Sequence, residues 1–299
     1  MRYSIGIDLG GTNIRVGYVR EDGFIMQVVK ASTVKSTTID PLVDQIMHLI
    51  ERLPTADFPI AGVGIGIPGP VRAKDGFIYV MPNLGLSNIP LKQLLESRLG
   101  SIPVFVGNDA NVAALAEAKS GAGKGYETVQ FVTVSTGIGG GLVIGDKLVT
   151  GSLGYAQEVG NMIVHPNGRQ QSPVMNNGAW EAQCSGTALV TQALELGVHV
   201  QHAGEVFELA STNKELSALV HHWIEWMAIA IANMVNLYEP DIFILGGGVM
   251  KSRHFFMDEL LVEVNRRVFP GMRGRVKITT AAYDQDAGLI GAGLLPFFQ

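Results

Sequence analysis

The chain has 299 residues, 47% of them hydrophobic and 16% charged, with 37 glycines. That balance argues against disorder and fits a compact α/β enzyme rich in tight turns, with about two domains at ~150 residues each. A net charge of −5, from 27 acidic and 22 basic residues, gives no electrostatic reason to bind nucleic acid or an anionic membrane, which leaves small molecules or a second copy as partners.

The apolar run Tyr3 to Ile7 reads as a buried β-strand ending in the glycine-threonine turn Asp8-Leu9-Gly10-Gly11-Thr12. Glycines let a backbone curl close to a ligand, and successive inward N–H groups form an anion-binding nest. The Thr12 hydroxyl adds a donor, and Asp8 at the strand end suits Mg²⁺ held through water. Ile14 to Val19 is a second strand, Glu21-Asp22-Gly23 a turn, and Phe24 to Lys30 a third strand. A helix is expected from about Pro41 to Leu53, with Asp40 as N-cap. Ile60 to Ile67 is a strand ending in Pro68-Gly69-Pro70, which completes a β-β-β-α-β unit. Leu91 to Leu99 reads as a helix, and Val104 to Val106 as a strand that delivers Asn108 and Asp109. Ala110 to Lys119 then continues as a helix, for which Asp109 is a plausible N-cap.

The order of elements then starts again. Val129 to Val134 is a strand, Ser135-Thr136-Gly137-Ile138-Gly139-Gly140-Gly141 is its turn, and Leu142 to Ile144 opens a hairpin at Gly145-Asp146. A long helix runs from about Leu216 to Leu237, and the strand Ile242 to Leu245 enters Gly246-Gly247-Gly248. Two similar α/β lobes are expected, with ligands in a cleft between them. Each glycine loop alone fits an ordinary hairpin turn; the pair favours nucleotide phosphates. Neither loop has the Gly-Lys-Ser/Thr ending of a Walker motif or opens a GxGxxG site.

Cys184 is the single cysteine, so no internal disulfide forms and a reducing, cytoplasmic compartment is expected. Asp8 breaks any apolar leader, so no signal peptide is expected. Trp226 to Val235 is too short to span a bilayer.

The combination of Asp8 to Asn13, Asn108-Asp109-Ala110-Asn111, Ser135 to Gly141, Ile244 to Gly248 and Asp286 to Ala292 resembles the ROK family of sugar kinases. These belong to the actin, hexokinase and chaperone ATPase superfamily, so the resemblance implies a two-lobed, ribonuclease H-like α/β fold. The lobes would divide at 1–108 with 286–299, and 109–285. ATP and Mg²⁺ are the implied cofactors. The resemblance makes Asp109 the base for a sugar hydroxyl, usually the 6-OH. Gly69, Asn83, Asn108, Glu158, Asn161 and Glu181 would contact the sugar. Asp8, Gly10, Gly11, Thr12, Asn13, Thr136, Gly137, Gly246, Gly247 and Gly248 would contact ATP. Family members are often dimers, so a homodimer is an expectation. The family also includes repressors with a DNA-binding domain before the first strand; here that strand begins at Tyr3, so a repressor of that kind is not expected.

Most family members carry a structural zinc on one histidine and three cysteines. In this chain those positions hold Asn161, Ser172, Val174 and Ala179. None is a thiolate or imidazole, so no zinc is expected. The family histidine also touches the sugar, so its replacement by Asn161 bears on substrate choice. Ile14-Arg15, Pro82-Asn83-Leu84, Cys184 to Leu189 and Ile244 to Met250 look most like allose kinases. Glucose, N-acetylmannosamine and β-glucosides stay open, as does a sensor that binds sugar without phosphorylating it.

Overall fold

The computed structural model describes residues 1–54 and 58–298. Gln299, the end of the segment 286–299 assigned to the N-terminal lobe, lies outside them. The chain forms two compact units, one of Met1–Glu127, Gly141–Gln157 and Ala282–Gln299, the other of Thr128–Gly140 and Glu158–Ala281.

In the first unit β1 (Tyr3–Leu9), β2 (Asn13–Arg20) and β3 (Ile25–Ser32) form an antiparallel meander. Helix α1 (Asp40–Glu51) crosses over to β4 (Ile60–Ile67), which runs parallel to β1 as the β-β-β-α-β reading requires. Buried Leu42, Val43, Ile46 and Leu49 recur at helical spacing on one face of α1. Asp40 is not its cap. The helix begins at Asp40, with Ile39 at the cap position and no side-chain hydrogen bond there. The Asp40 charge sits in the first turn, where it complements the helix dipole.

A small antiparallel sheet of β5 (Val71–Arg72), β6 (Phe77–Met81) and β7 (Leu86–Ile89) follows. Then come α2 (Leu91–Leu99), β8 (Val104–Asn108), parallel to β4, and α3 (Asp109–Lys119). The small sheet escaped the sequence reading because its strands are only two to five residues long.

In the second unit β9 (Thr128–Val134) leads to a turn that is shorter than expected. Strand β10 (Ile138–Ile144) already begins at Ile138; its residues from Gly141 on belong to the first unit, where they pair with β11 (Lys147–Leu148). Only Ser135 to Gly137 are loop. Gly141 is strand, and its missing side chain lets it lie against Ala114 and Asn111. Helices α4 (Trp180–Cys184), α5 (Gly186–Glu195), α6 (Ala203–Leu209) and α7 (Lys214–Tyr238) precede β12 (Ile242–Gly246). Helix α8 (Met257–Arg267) and β13 (Ile278–Thr280) follow, and β12 pairs in parallel with both β9 and β13. Trp180, Trp223, Phe243 and Phe256 are fully buried in this unit's core. Among the described residues no helix is long and apolar enough to cross a membrane.

Helix α9 (Ala287–Phe298) returns to the first unit and packs on α3. Gly291 makes this possible, because the Val112 carbonyl occupies the space of a Cβ. Glu117, fully buried on α3, accepts hydrogen bonds from the N–H groups of Ala122 (2.9 Å), Ala282 (3.0 Å) and Tyr283 (2.7 Å). Residues 109–127 and 141–157 therefore belong with the N-terminal segment, where the division at 108 had put them with the C-terminal lobe.

Candidate active site

In the first unit the turn after β1 is held from several sides. The Gly10 N–H donates to the Asn13 carbonyl (2.9 Å), the Thr33 hydroxyl to the Gly10 carbonyl (2.7 Å), and the Thr33 N–H to the Thr12 carbonyl (2.9 Å). Lys35 donates to the Gly11 carbonyl. A Cβ on Gly11 would lie 2.8 Å from Cβ of Asn83, so glycine lets these two segments touch. Thr12 and Asn83 are exposed.

Asp8, at the end of β1, lies 4.0 Å from the Arg15 guanidinium, which also pairs with Asp286. Burial raises the Asp8 carboxyl above its ordinary range; Arg15 opposes the rise and Asp286 adds to it. Gly288 lets α9 approach, since a Cβ there would sit 2.8 Å from Asp8 Oδ1. One hard carboxylate suits Mg²⁺, which keeps its waters and takes other ligands from phosphates. Arg15 and Asp286 were not picked out for this site in the sequence, because their meeting is set by the return of α9.

Strand β8 ends in Asn108, and α3 begins at Asp109. The cap is Asn108, not Asp109: its Oδ1 accepts from the N–H groups of Ala110 (2.9 Å) and Asn111 (3.2 Å). Its Nδ2 donates to the Gly69 carbonyl at 3.2 Å. Gly69 has φ +125°, and the Val80 carbonyl fills the place of a Cβ, so only glycine fits. The exposed Asp109 occupies the first helical position, where Oδ1 accepts from the Ala110 N–H at 2.8 Å.

In the second unit the turn Ser135–Gly137 is closed by the Ser135 N–H donating to the Gly137 carbonyl (2.8 Å). The Gly186 N–H at the start of α5 donates to the Ser135 carbonyl (2.7 Å). Beside the turn opens a cavity of about 820 Å³, lined by Ser135, Thr136, Thr187, Gly248, Lys251 and His254 among others. This falls in the size range of small-molecule sites.

The three glycines after β12 divide their work. Gly246 packs on the Phe131 ring, and Gly247, with φ +90°, lies against the Val134 carbonyl. Only Gly248 lines the cavity. Lys251 and His254 were missed in the sequence, since no motif marks them, and Thr187 lay in the stretch Cys184 to Leu189 without being picked out as a cavity residue.

Glu158 and Glu181 belong to the second unit as well. Glu181 Oε2 accepts from the Ile138 N–H at 2.6 Å. Desolvation raises both carboxyls; the charge of Glu181 adds to the rise at Glu158, and the Ile138 hydrogen bond opposes it at Glu181.

The match to the ROK family model covers residues 4–296. The chain belongs to the ROK family. It is 33% identical to a glucokinase of Streptomyces coelicolor over 98% of this chain and 96% of that protein. A ROK hexokinase structure from Thermus thermophilus superposes with TM-score 0.87 at 32% identity, over 99% of this chain and 98% of the other. A ROK glucokinase from Streptomyces griseus, solved in complex with glucose and AMPPNP, gives TM-score 0.76 at 31% identity, over 97% and 98%. The fold is thus the two-lobed, actin-like α/β fold expected from the motifs.

This ROK chain fills the family's zinc positions with groups that do not fit zinc. Asn161 Oδ1 accepts from the Asn176 N–H (2.8 Å), and Asn176 Nδ2 donates to the Asn161 carbonyl (3.2 Å). Val174 is 90% exposed and Ala179 fully buried. Cys184 is buried with its Sγ toward the Trp223 carbonyl, and His165 stacks on Trp226. Among the described residues no group of three or more His, Cys, Asp or Glu could hold a metal ion.

Proposed function

We propose that this ROK-family, ATP-dependent sugar kinase phosphorylates a hexose at its 6-hydroxyl with Asp109 as the base. The observation that supports this reading most is the Asn108–Asp109 corner. There a carboxylate stands exposed at the head of α3, beside an asparagine fixed to the Gly69 backbone. Phosphoryl transfer depends on placement and charge neutralisation more than on covalent chemistry. As the hydroxyl oxygen bonds to the γ-phosphorus, the bond from that phosphorus to the bridging oxygen of ADP breaks, and the hydroxyl proton passes to Asp109. A carboxylate suffices because the alcohol becomes acidic only as phosphorus is engaged.

Gly10, Gly11, Thr12 and Asn13 of the first turn, with Thr136, Gly137 and Gly246 to Gly248, are the proposed phosphate and nucleotide contacts. Mg²⁺ would be held by Asp8 through water and would neutralise phosphate charge. Gly69, Asn83, Asn108, Glu158, Asn161 and Glu181 are the proposed sugar contacts; amides and carboxylates together supply the donors and acceptors that hydroxyls require. D-Allose is the first candidate substrate from the flanking residues, and the glucokinase relatives make D-glucose the second. The test is ATP consumption with a panel of D-allose, D-glucose, N-acetylmannosamine and β-glucosides. Turnover of a hexose supports the reading, and no turnover with any of them would favour a non-catalytic sugar sensor.

A further inference from the structure

Glu181 makes a contact that sugar binding does not explain. Its Oε2 accepts the Ile138 N–H at 2.6 Å, the first amide after the turn Ser135–Gly137. A Cβ on Gly137 would sit 2.6 Å from the same oxygen, and one on Gly160 would lie 3.3 Å from it. Two glycines therefore make room for one carboxylate on the flank of the turn.

The turn's other end is fixed as well, by the Gly186 N–H on the Ser135 carbonyl. Between these two anchors, no backbone carbonyl among the described residues accepts a hydrogen bond from the amides of Thr136 or Gly137. Adjacent backbone N–H groups left in this way form an anion nest only if the peptide planes around them are held. A charge-assisted hydrogen bond of this length is among the stronger ones available to a backbone amide. Glu181 also neighbours Glu158, whose carboxyl it pushes up. One side chain thus joins the proposed sugar contacts to the proposed phosphate turn, within the second unit.

We infer that Glu181 is a positioning residue for the phosphate turn: through Ile138 it holds the Thr136 and Gly137 amides in the geometry that receives nucleotide phosphates. This rests on the kinase reading above and deepens it. The decisive property is reach to the Ile138 N–H, not charge alone. Glutamine keeps that reach and an acceptor oxygen; aspartate keeps the charge but is one methylene short.

The experiment measures binding of AMPPNP with Mg²⁺ by calorimetry in the absence of any sugar, a readout that a pure sugar contact would leave unmoved. Glu181→Gln is expected to bind within about threefold of the wild type. Glu181→Asp and Glu181→Ala are expected to bind about tenfold more weakly, since hydrogen bonds to charged groups contribute on this scale. Glu181→Asp and Glu181→Ala binding AMPPNP as tightly as the wild type would overturn the inference while leaving the kinase reading intact. A wild type that does not bind AMPPNP would overturn both. Thermal melts of the variants identify any that fail to fold, and the glutamine and aspartate pair still separates reach from charge if alanine does.

Discussion

The Nδ2 of Asn108 donates to the carbonyl of Gly69 at 3.2 Å while the Oδ1 of the same amide caps the helix that begins at Asp109. One side chain therefore sets both the end of β8 and the start of α3, and the corner that presents Asp109 is fixed from two directions. Sequence inspection saw the Asn-Asp pair but gave the cap to the wrong member. Both residues are good caps, and only the φ and ψ of the folded chain, extended at Asn108, select between them.

Asp109→Asn is expected to lower kcat by at least about 10²-fold, the usual size of a general-base contribution. Sugar affinity measured by calorimetry should change little. A variant with near-wild-type kcat would remove Asp109 from the base role.

Asn108→Asp and Asn108→Ala separate the two tasks of that residue. Aspartate keeps a capping oxygen but has no N–H for Gly69, so KM for sugar should rise while the melting temperature holds. Alanine also loses the cap, which costs about 1 kcal/mol in chemical denaturation. Equal KM values for wild type and Asn108→Asp would show that the Gly69 link does not shape the site.

Gly247→Ala and Gly248→Ala should diverge. At Gly247 the positive φ and the Val134 carbonyl leave no room for a methyl group, and a stability loss of about 2 kcal/mol or more is expected. At Gly248 nothing lies within 4 Å, so stability should be unchanged. AMPPNP affinity should fall in Gly248→Ala, because the added methyl enters the cavity. Denaturation curves and calorimetry on the two proteins check both statements.

Glu117→Ala removes a buried carboxylate that three backbone N–H groups use. Leaving such donors unpaired costs about 1–3 kcal/mol each, so a loss of at least about 3 kcal/mol is expected. Urea denaturation reads it. A loss below about 1 kcal/mol would mean that water replaces the carboxylate at no cost.

The raised carboxyls of Glu158 and Glu181 give stability a definite pH slope. The unfolded chain releases these protons near the ordinary value of 4.5, while the folded chain holds them to higher pH. Their contribution to stability therefore declines as pH rises from that value through the folded pKa. Glu158→Gln should raise the thermal midpoint relative to wild type at pH 7 and by less at pH 4. The opposite order would contradict the direction of the Glu158 shift.

The sequence by itself determined the chemistry that local pattern carries. Alternating and continuous apolar runs placed β1, β2, β4, β8, β9 and β12. The glycine turns after β1 and β9 stood out because glycine pairs at strand ends punctuate the pattern and leave room for a close neighbour. The motifs in order were enough to name the family.

Tertiary structure alone decided which of those groups meet. Arg15 reaches Asp286, 271 residues later, because α9 returns, Glu117 grips the approach to that helix, and Glu181 reaches Ile138 across 43 residues of sequence. Short strands such as β5 and helices such as α4 also waited for the fold, since two to five residues carry too little periodicity to read. The physical reason is common to all of these. A hydrogen bond between residues far apart in the chain exists only once burial has fixed both ends, and no local pattern records the partner.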